Sequence, residues 1–397
     1  MIRGLSVSGR RLAILALLIV GATAASASAA HVQRSATTVK IGWITGLTGT
    51  QATNSASATQ GIAAALKKIN DSGAAGKGIK FSLVVKDDAA TPQVASQRCN
   101  ELVNNDHVDV VIGFESTPSQ AACNQFLTDK NIPYILAQTS TSGSICLSNY
   151  FALATVGNQQ TNPLVDYLVK HGSRKIYVVA NDFSSGRLGA QQIKDRVGSK
   201  ADLVGTSFEP LGTTDFSSDI SKIAAAKPDT VIDVLVGNDE VAFYKQFRTD
   251  PRSSGIKTGS FLMDDGIAAA IGQKLLANTI VNTSYSPDNT IKGNKVFIAA
   301  MKKKYGKKAA ATGSAAAAWD GAWILAHAIK KAHSTSGSAI ISALPNTTYS
   351  GPRGDLAFKG KHYVSLAMFL VSYNGKADKV VGKFSRIFPI PANSACQ

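Results

Sequence analysis

The chain has 397 residues, of which 44% are apolar and 17% charged, and a formal net charge of +16; this composition points to a folded globular protein and away from disorder. Its lysines and arginines are scattered without aromatic interleaving, which argues against a nucleic-acid surface. The histidines at 31, 107, 171, 327, 333 and 362 and the four cysteines show no zinc spacing, so neither a metal nor another cofactor is expected.

Residues 1–11 are basic through Arg3, Arg10 and Arg11, residues 12–20 form an apolar stretch too short to span a bilayer, and the small residues that follow offer cleavage after Ala29 or Ala30. This three-part pattern predicts a signal peptide over residues 1–30 and a mature chain that is secreted or periplasmic, outside the cytoplasmic membrane. No cysteine stands at the cleavage site, so no lipid anchor is expected. About 365 residues then remain, more than one hydrophobic core usually serves, and two domains are the expectation.

From residue 39 the chain alternates. The apolar run 39–44 reads as a buried parallel strand. Ile62, Leu66 and Ile69 mark a helix that ends in the turn sequence Asn70-Asp71-Ser72-Gly73. Residues 79–85 read as a strand, 93–104 as a helix and 108–113 as a strand. A third helix is expected with Thr117 as N-cap and Pro118 in its first position. A strand over 132–137 follows. The pattern then restarts, with strands at 175–180, 203–208, 230–236 and 260–263 and helices at 189–197, 216–226 and 241–248. Helices over 294–305 and 315–332 and a β-like ending at 356–358 and 364–373 close the chain. Such alternation predicts parallel sheets covered on both faces, with ligands beyond the carboxyl ends of the strands.

Cys99, Cys123, Cys146 and Cys396 permit three pairings in an oxidising compartment. Cys99 shares a helical face with Ala95, Leu102 and Val103, and Cys123 shares one with Ala122, Phe126 and Leu127. We expect Cys99 with Cys123 and Cys146 with Cys396; buried free thiols are the alternative.

Five consecutive segments carry a family resemblance: GLTG at 46–49, GIAAALKKIN at 61–70, GAAGKGI at 73–79, KDDAATP at 86–92 and VDVVIGFES at 108–116. TDFSSDISKIAAAKPDTVI at 214–232, KKKYGKK at 302–308, AAAAWDGAWILAHAIKKA at 315–332 and YSGPRGDLAFKGK at 349–361 continue it in order. The chain resembles the leucine/isoleucine/valine-binding (branched-chain amino acid type) solute-binding proteins of ABC importers. The resemblance implies an α/β fold of two Rossmann-like lobes with parallel central sheets, joined by a three-segment hinge, as in type I periplasmic binding proteins. The expected crossings lie near Val156, Tyr285 and Pro352. The first lobe would span 37–156 plus 286–348 and the second 157–285 plus 349–397.

In such a family the first lobe holds a ligand carboxylate through hydroxyls and backbone N–H groups. By resemblance this role falls to Ser116 and Thr117, with Gln138, Thr139 and Ser140 as the second polar loop and Thr48 of GLTG on the same side. An amino-acid ammonium would need an acid from the closing lobe, and Asp265 stands at the family's acidic position, with Asp264 as competitor. The aromatic positions depart from the family pattern. Asn54 stands near the lid aromatic, Ser185-Gly186 replaces a tyrosine-glycine turn with Phe183 the nearest aromatic, and Asp239 stands near another tyrosine, possible ligand contacts that favour a more polar or differently shaped ligand than leucine. The expected protein is non-catalytic and monomeric, binds an amino acid or a related small carboxylate or amide, and docks on an ABC permease. A ligand-sensing receptor of the same fold is the alternative. Enzyme readings fail on spacing, because the glycines at 42, 46 and 49 do not form G-x-G-x-x-G and no G-x-S-x-G turn is present.

Overall fold

The computed structural model describes residues 37–113, 116–138, 147–358 and 362–387. Its first sheet is laid down by β1 (Thr37–Thr45), α1 (Ala52–Ser72), β2 (Ile79–Asp87), α2 (Pro92–Asn104), β3 (Val110–Gly113), α3 (Thr117–Asp129), β4 (Tyr134–Leu136) and β5 (Tyr150–Ala152). The strands are all parallel in the order β2-β1-β3-β4-β5. Alternation along β1 feeds two cores, with Ile41 and Trp43 on one face beside Ile62 and Ile69 of α1 and Ile44 on the other beside Cys99 and Cys123. A strand buried on both faces needs an apolar run of this kind.

The second sheet is built by α4 (Asn158–Lys170), β6 (Lys175–Asn181), α5 (Ser184–Val197), β7 (Asp202–Glu209), α6 (Ser217–Ala226), β8 (Thr230–Val234), α7 (Asn238–Thr249), β9 (Lys257–Ser260), α8 (Asp265–Ile271) and β10 (Thr279–Thr283). The chain continues through α9 (Lys292–Tyr305), α10 (Gly313–Ala332), α11 (Gly337–Ala343) and the hairpin β11 (Thr348–Gly351) and β12 (Gly354–Ala357). It ends on β13 (Leu366–Tyr373) and β14 (Asp378–Ile387). β7, β6, β8, β9 and β10 are parallel, and β13 and β14 extend the sheet antiparallel. α9, α10 and the hairpin pack with the first core, where Trp319, Phe297, Leu356 and Phe358 join Trp43.

Several elements differ from the sequence expectation, which also lacked α8, β10, α11 and β11. The strand expected at 260–263 lies earlier, as β9, because Gly259 leaves the space in which Leu164 and Leu168 of α4 pack, so the strand carries no apolar signal. After it the Ser260 hydroxyl accepts from the Leu262 and Met263 amides and turns the chain. β5, α4 and β14 were not foreseen: β5 has three residues, α4 opens on the polar run Asn158–Thr161, and β14, at the sheet edge, is interrupted by Lys379, Gly382 and Lys383 and carries no clean period-two pattern. α3 begins one residue before expectation, with Ser116 as N-cap.

Cys99 and Cys123 form the expected disulfide, joining α2 to α3 with their Cα atoms 6.1 Å apart. Cys146 and Cys396 lie outside the described residues. Among those described, no helix is long and apolar enough to cross a membrane. The segments connecting the sheets are tied by buried amides: Gln159 accepts from the Val156 amide at 2.9 Å and donates to Val364 O at 3.2 Å, and Asn282 donates to the carbonyls of Gln159 and Gln160 at 2.8 and 2.6 Å.

Candidate functional site

The carboxyl ends of both sheets face one cleft. From the first side come Thr50 and Gln51, which precede α1, and Ser116, Thr117 and Pro118 at the start of α3. From the second come residues at or just after strand ends: Phe183 and Ser185 after β6, Leu211 after β7, Val234 and Val236 at β8, and Phe261 and Leu262 after β9; Gln160 of α4 completes the lining. The enclosed space is about 50 Å³, room for a few waters.

The first wall is polar. In α3 the Gln120 amide bonds Ser116 O at 3.0 Å and Pro118 has no N–H, so the helix end offers the amides of Thr117 and Ser119 together with the positive end of its dipole. Ser116 is extended and its side chain does not cap the helix; its Oγ lies 3.5 Å from Ala90 O. The second wall is apolar and aromatic. Gly186 permits the turn that places Phe183, because a Cβ there would lie 1.9 Å from Asn181 O. Among the described residues, no charged side chain lines the cavity.

Of the ten residues singled out in the sequence, Ser116, Thr117 and Phe183 line this cavity. Thr139 and Ser140 lie outside the described residues. Gln138 is buried at the end of the first sheet, and its Oε1 makes no hydrogen bond among the described residues. Thr48 is exposed and donates to Asp87 at 2.8 Å. Asn54 is buried in the first turn of α1, away from the lining. Asp239 accepts from Asn181 and from the Gly212 amide, each at 2.8 Å, so its carboxylate ties the loops after β6 and β7 together. Asp265 is half-buried, but its Oδ2 is fully buried without a partner. Burial first and the neighbouring Asp264 second push its pKa well above the carboxylate range.

The lining residues that sequence reading missed were within reach of the strand-end rule. Along the second sheet it points to Leu211, Val236, Phe261 and Leu262.

Asp264 joins the two sides. Its Oδ1 accepts from the amides of Gly266 and Ile267 at 2.9 and 3.0 Å, capping α8, while its Oδ2 accepts from the Ser314 hydroxyl at 2.8 Å and the Ser314 amide at 3.3 Å, at the start of α10. Nearby, the Asn238 amide donates to Thr50 O at 3.0 Å, and Gly237 sits so close that a Cβ would lie 2.2 Å from the same oxygen.

A model of the periplasmic binding protein family matches residues 38–378. A Leu/Ile/Val-binding protein homolog of Brucella melitensis is 24% identical over 275 residues, covering 68% of this chain and 70% of that protein. The structure of an ABC-transporter solute-binding protein from Rhodopseudomonas palustris, in complex with 3,4-dihydroxybenzoic acid, superposes with a TM-score of 0.77 at 24% identity, covering 88% of this chain and 98% of that one. The branched-chain amino acid transporter substrate-binding protein LivJ of Streptococcus pneumoniae, in complex with isoleucine, gives a TM-score of 0.74 at 19% identity, covering 87% and 99%. With its α/β sheets shared by these structures and the family match running through nearly all of both sheets, the chain belongs to the periplasmic binding protein family.

Proposed function

We propose that this protein is an exported, non-catalytic solute receptor of an ABC importer, which closes around a small carboxylate or amide with an apolar body. Its two lobes are 37–156 with 286 through the β11–β12 hairpin and 157–285 with β13 and β14, so the third crossing lies between Tyr363 and Leu366, later than the boundary near Pro352 expected from the sequence, and the closed ligand-bound form docks on the permease as a monomer. The observation that carries this reading is the pairing of walls: amides and hydroxyls at the start of α3 opposite Phe183, Leu211, Phe261 and Leu262. A helix N-terminus suits an anion, and the facing wall suits a hydrocarbon or aromatic body.

An amino acid would bring an ammonium, whose burial without a partner is costly. Among the described residues no acid lines the cavity, and Asp239 is engaged elsewhere. This favours an acid without an amino group, the chemistry that the Rhodopseudomonas palustris relative holds, over leucine.

A thermal-shift screen tests the ligand class, because a ligand bound at about 100 times its Kd stabilises by about 2.7 kcal/mol. Aromatic and short aliphatic acids are expected to raise the Tm, and leucine to leave it unmoved. A shift with leucine and none with any acid lacking an amino group would overturn the reading.

A further inference from the structure

Behind the apolar wall of the cleft lies a polar triad that does not itself line the cavity. β8 and β9 pair so that Asp233 stands beside Ser260, and Glu240, in the first turn of α7, reaches both. All three side chains are fully buried.

A glutamate in the third position of a helix ordinarily folds back on the amide of the cap residue. Glu240 does not. Its Oε1 accepts from the Ser260 hydroxyl at 2.8 Å, and its Oε2 is buried with no hydrogen bond among the described residues. The Ser260 oxygen accepts in turn from the Leu262 and Met263 amides, at 3.3 and 3.2 Å. A hydroxyl has one hydrogen and two lone pairs, so both acceptor sites are filled and the hydrogen is left to Glu240.

The turn built on this hydroxyl shapes the cleft. Phe261 and Leu262 line the cavity, and Asp264 caps α8 and accepts from Ser314 on the other side. Ser260 is thus the joint between a sheet strand and the part of the wall that meets a ligand.

We propose that Glu240 is a positioning residue for ligand binding: through the Ser260 hydroxyl it fixes the turn that presents Phe261 and Leu262 to the cleft. The proposal rests on the reading of the cleft as the ligand site.

The other carboxyl oxygens make this anchor sensitive to pH. Glu240 Oε2 and Asp233 Oδ1 both lack a hydrogen bond among the described residues, and the two groups lie within hydrogen-bonding reach of each other. A proton between them serves both oxygens; without it, two like charges share a buried space. Burial first and the charge of Asp233 second raise the Glu240 pKa. The other groups facing the pair are Tyr244, which donates to Asp233, Arg248 of α7, Asp264 before α8 and Tyr373 of β13. Arg248 is turned to Ile256 O and Thr258 Oγ1, and Asp264 adds negative charge. Rising pH therefore drives the two carboxylates apart and draws Glu240 from Ser260.

The test reads amide exchange at Leu262 and Met263 by NMR in the ligand-free protein. Affinity is measured by calorimetry with benzoate, and with leucine if benzoate does not bind. In the parent, protection of these two amides, corrected for intrinsic exchange, is expected to fall about tenfold between about pH 5 and about pH 8. Glu240→Gln supplies an oxygen to Ser260 and an N–H to Asp233, so its protection and affinity should hold across that range. Glu240→Leu and Ser260→Ala should each lose protection at the two amides and bind the probe about tenfold more weakly near pH 5. Parental protection in Glu240→Leu, or protection in the parent that ignores pH, would overturn the proposal. So would an equal loss along β6 and β8, which would make Glu240 a residue of fold stability alone. Exchange is read without ligand, so failure of both probes to bind would count against the reading of the cleft, and the exchange result would still decide whether Glu240 fixes the turn.

Discussion

Behind the first sheet, Asp320 of α10 accepts from the Arg353 guanidinium at 2.7 Å with both side chains fully buried, whereas in the second sheet Asp233 of β8 and Glu240 of α7 are buried together with no ion pair among the described residues. Asp233 accepts from Tyr244 at 3.0 Å, and Glu240 accepts from Ser260 at 2.8 Å. The first arrangement pairs its carboxylate with a cation, although burial still lifts the Asp320 pKa to about 6; the second sets two carboxyls side by side, and burial raises the pKa of both. A buried ion pair is fixed by its partner, while a buried carboxyl pair responds to pH.

Removing the cation should produce the largest effect. Arg353→Met leaves Asp320 buried and unpaired and also removes the 2.8 Å bond from Arg353 to Leu153 O, so a loss of about 3–5 kcal/mol is expected in chemical denaturation. Adding Asp320→Leu should recover much of it, since the charge that made the loss severe is then gone. A single variant as stable as the parent would mean that Asp320 is neutral in the fold and that the contrast between the sheets is false.

The second sheet gives a smaller, pH-dependent effect. Burial raises the Asp233 pKa to about 6, and burial followed by the charge of Asp233 raises that of Glu240 further. Both are above their unfolded values, so the folded state holds extra protons. The stability this contributes is present below about pH 4 and is lost as pH rises through about 6. Glu240→Gln keeps an acceptor for Ser260 and removes one titrating group. We expect the variant to match the parent near pH 4 and to exceed it increasingly as pH rises toward 8. Parallel Tm profiles from pH 5 to 8 would show that the two carboxyls do not share a proton.

This contrast also marks what the sequence could and could not tell. The β1–α3 run was legible because each of its strands is apolar and each helix has a stripe, so periodicity alone locates them. YSGPRG was legible as a motif but not as a mechanism: a Cβ on Gly351 would lie 2.1 Å from Asp320 Oδ1, a contact between residues 31 apart in the chain that no local pattern encodes. The same holds at the site. Ser116 and Thr117 are marked by strand-end position and proline, whereas the pairing of Asp264 with Ser314 depends on how the two sides meet.

That meeting supports the smallest of the expected effects. The Asp264 carboxylate accepts from two helix starts at once, one on each side of the cleft, and only the contact to Ser314 depends on the sides being together. A hydrogen bond to a charged group contributes about 1.5–3 kcal/mol. If the walls separate to admit ligand, that contribution belongs to the closed form and enters the binding equilibrium. Ser314→Ala should then weaken binding of a small acid by about tenfold, the lower end of that range, and leave the Tm of the ligand-free protein within about a degree, because the α8 cap is untouched. Titration calorimetry alongside a ligand-free melt separates the alternatives. An unchanged affinity with a lowered ligand-free Tm would mean that the Asp264 bridge is a permanent strut, and that the two sides do not part along this line.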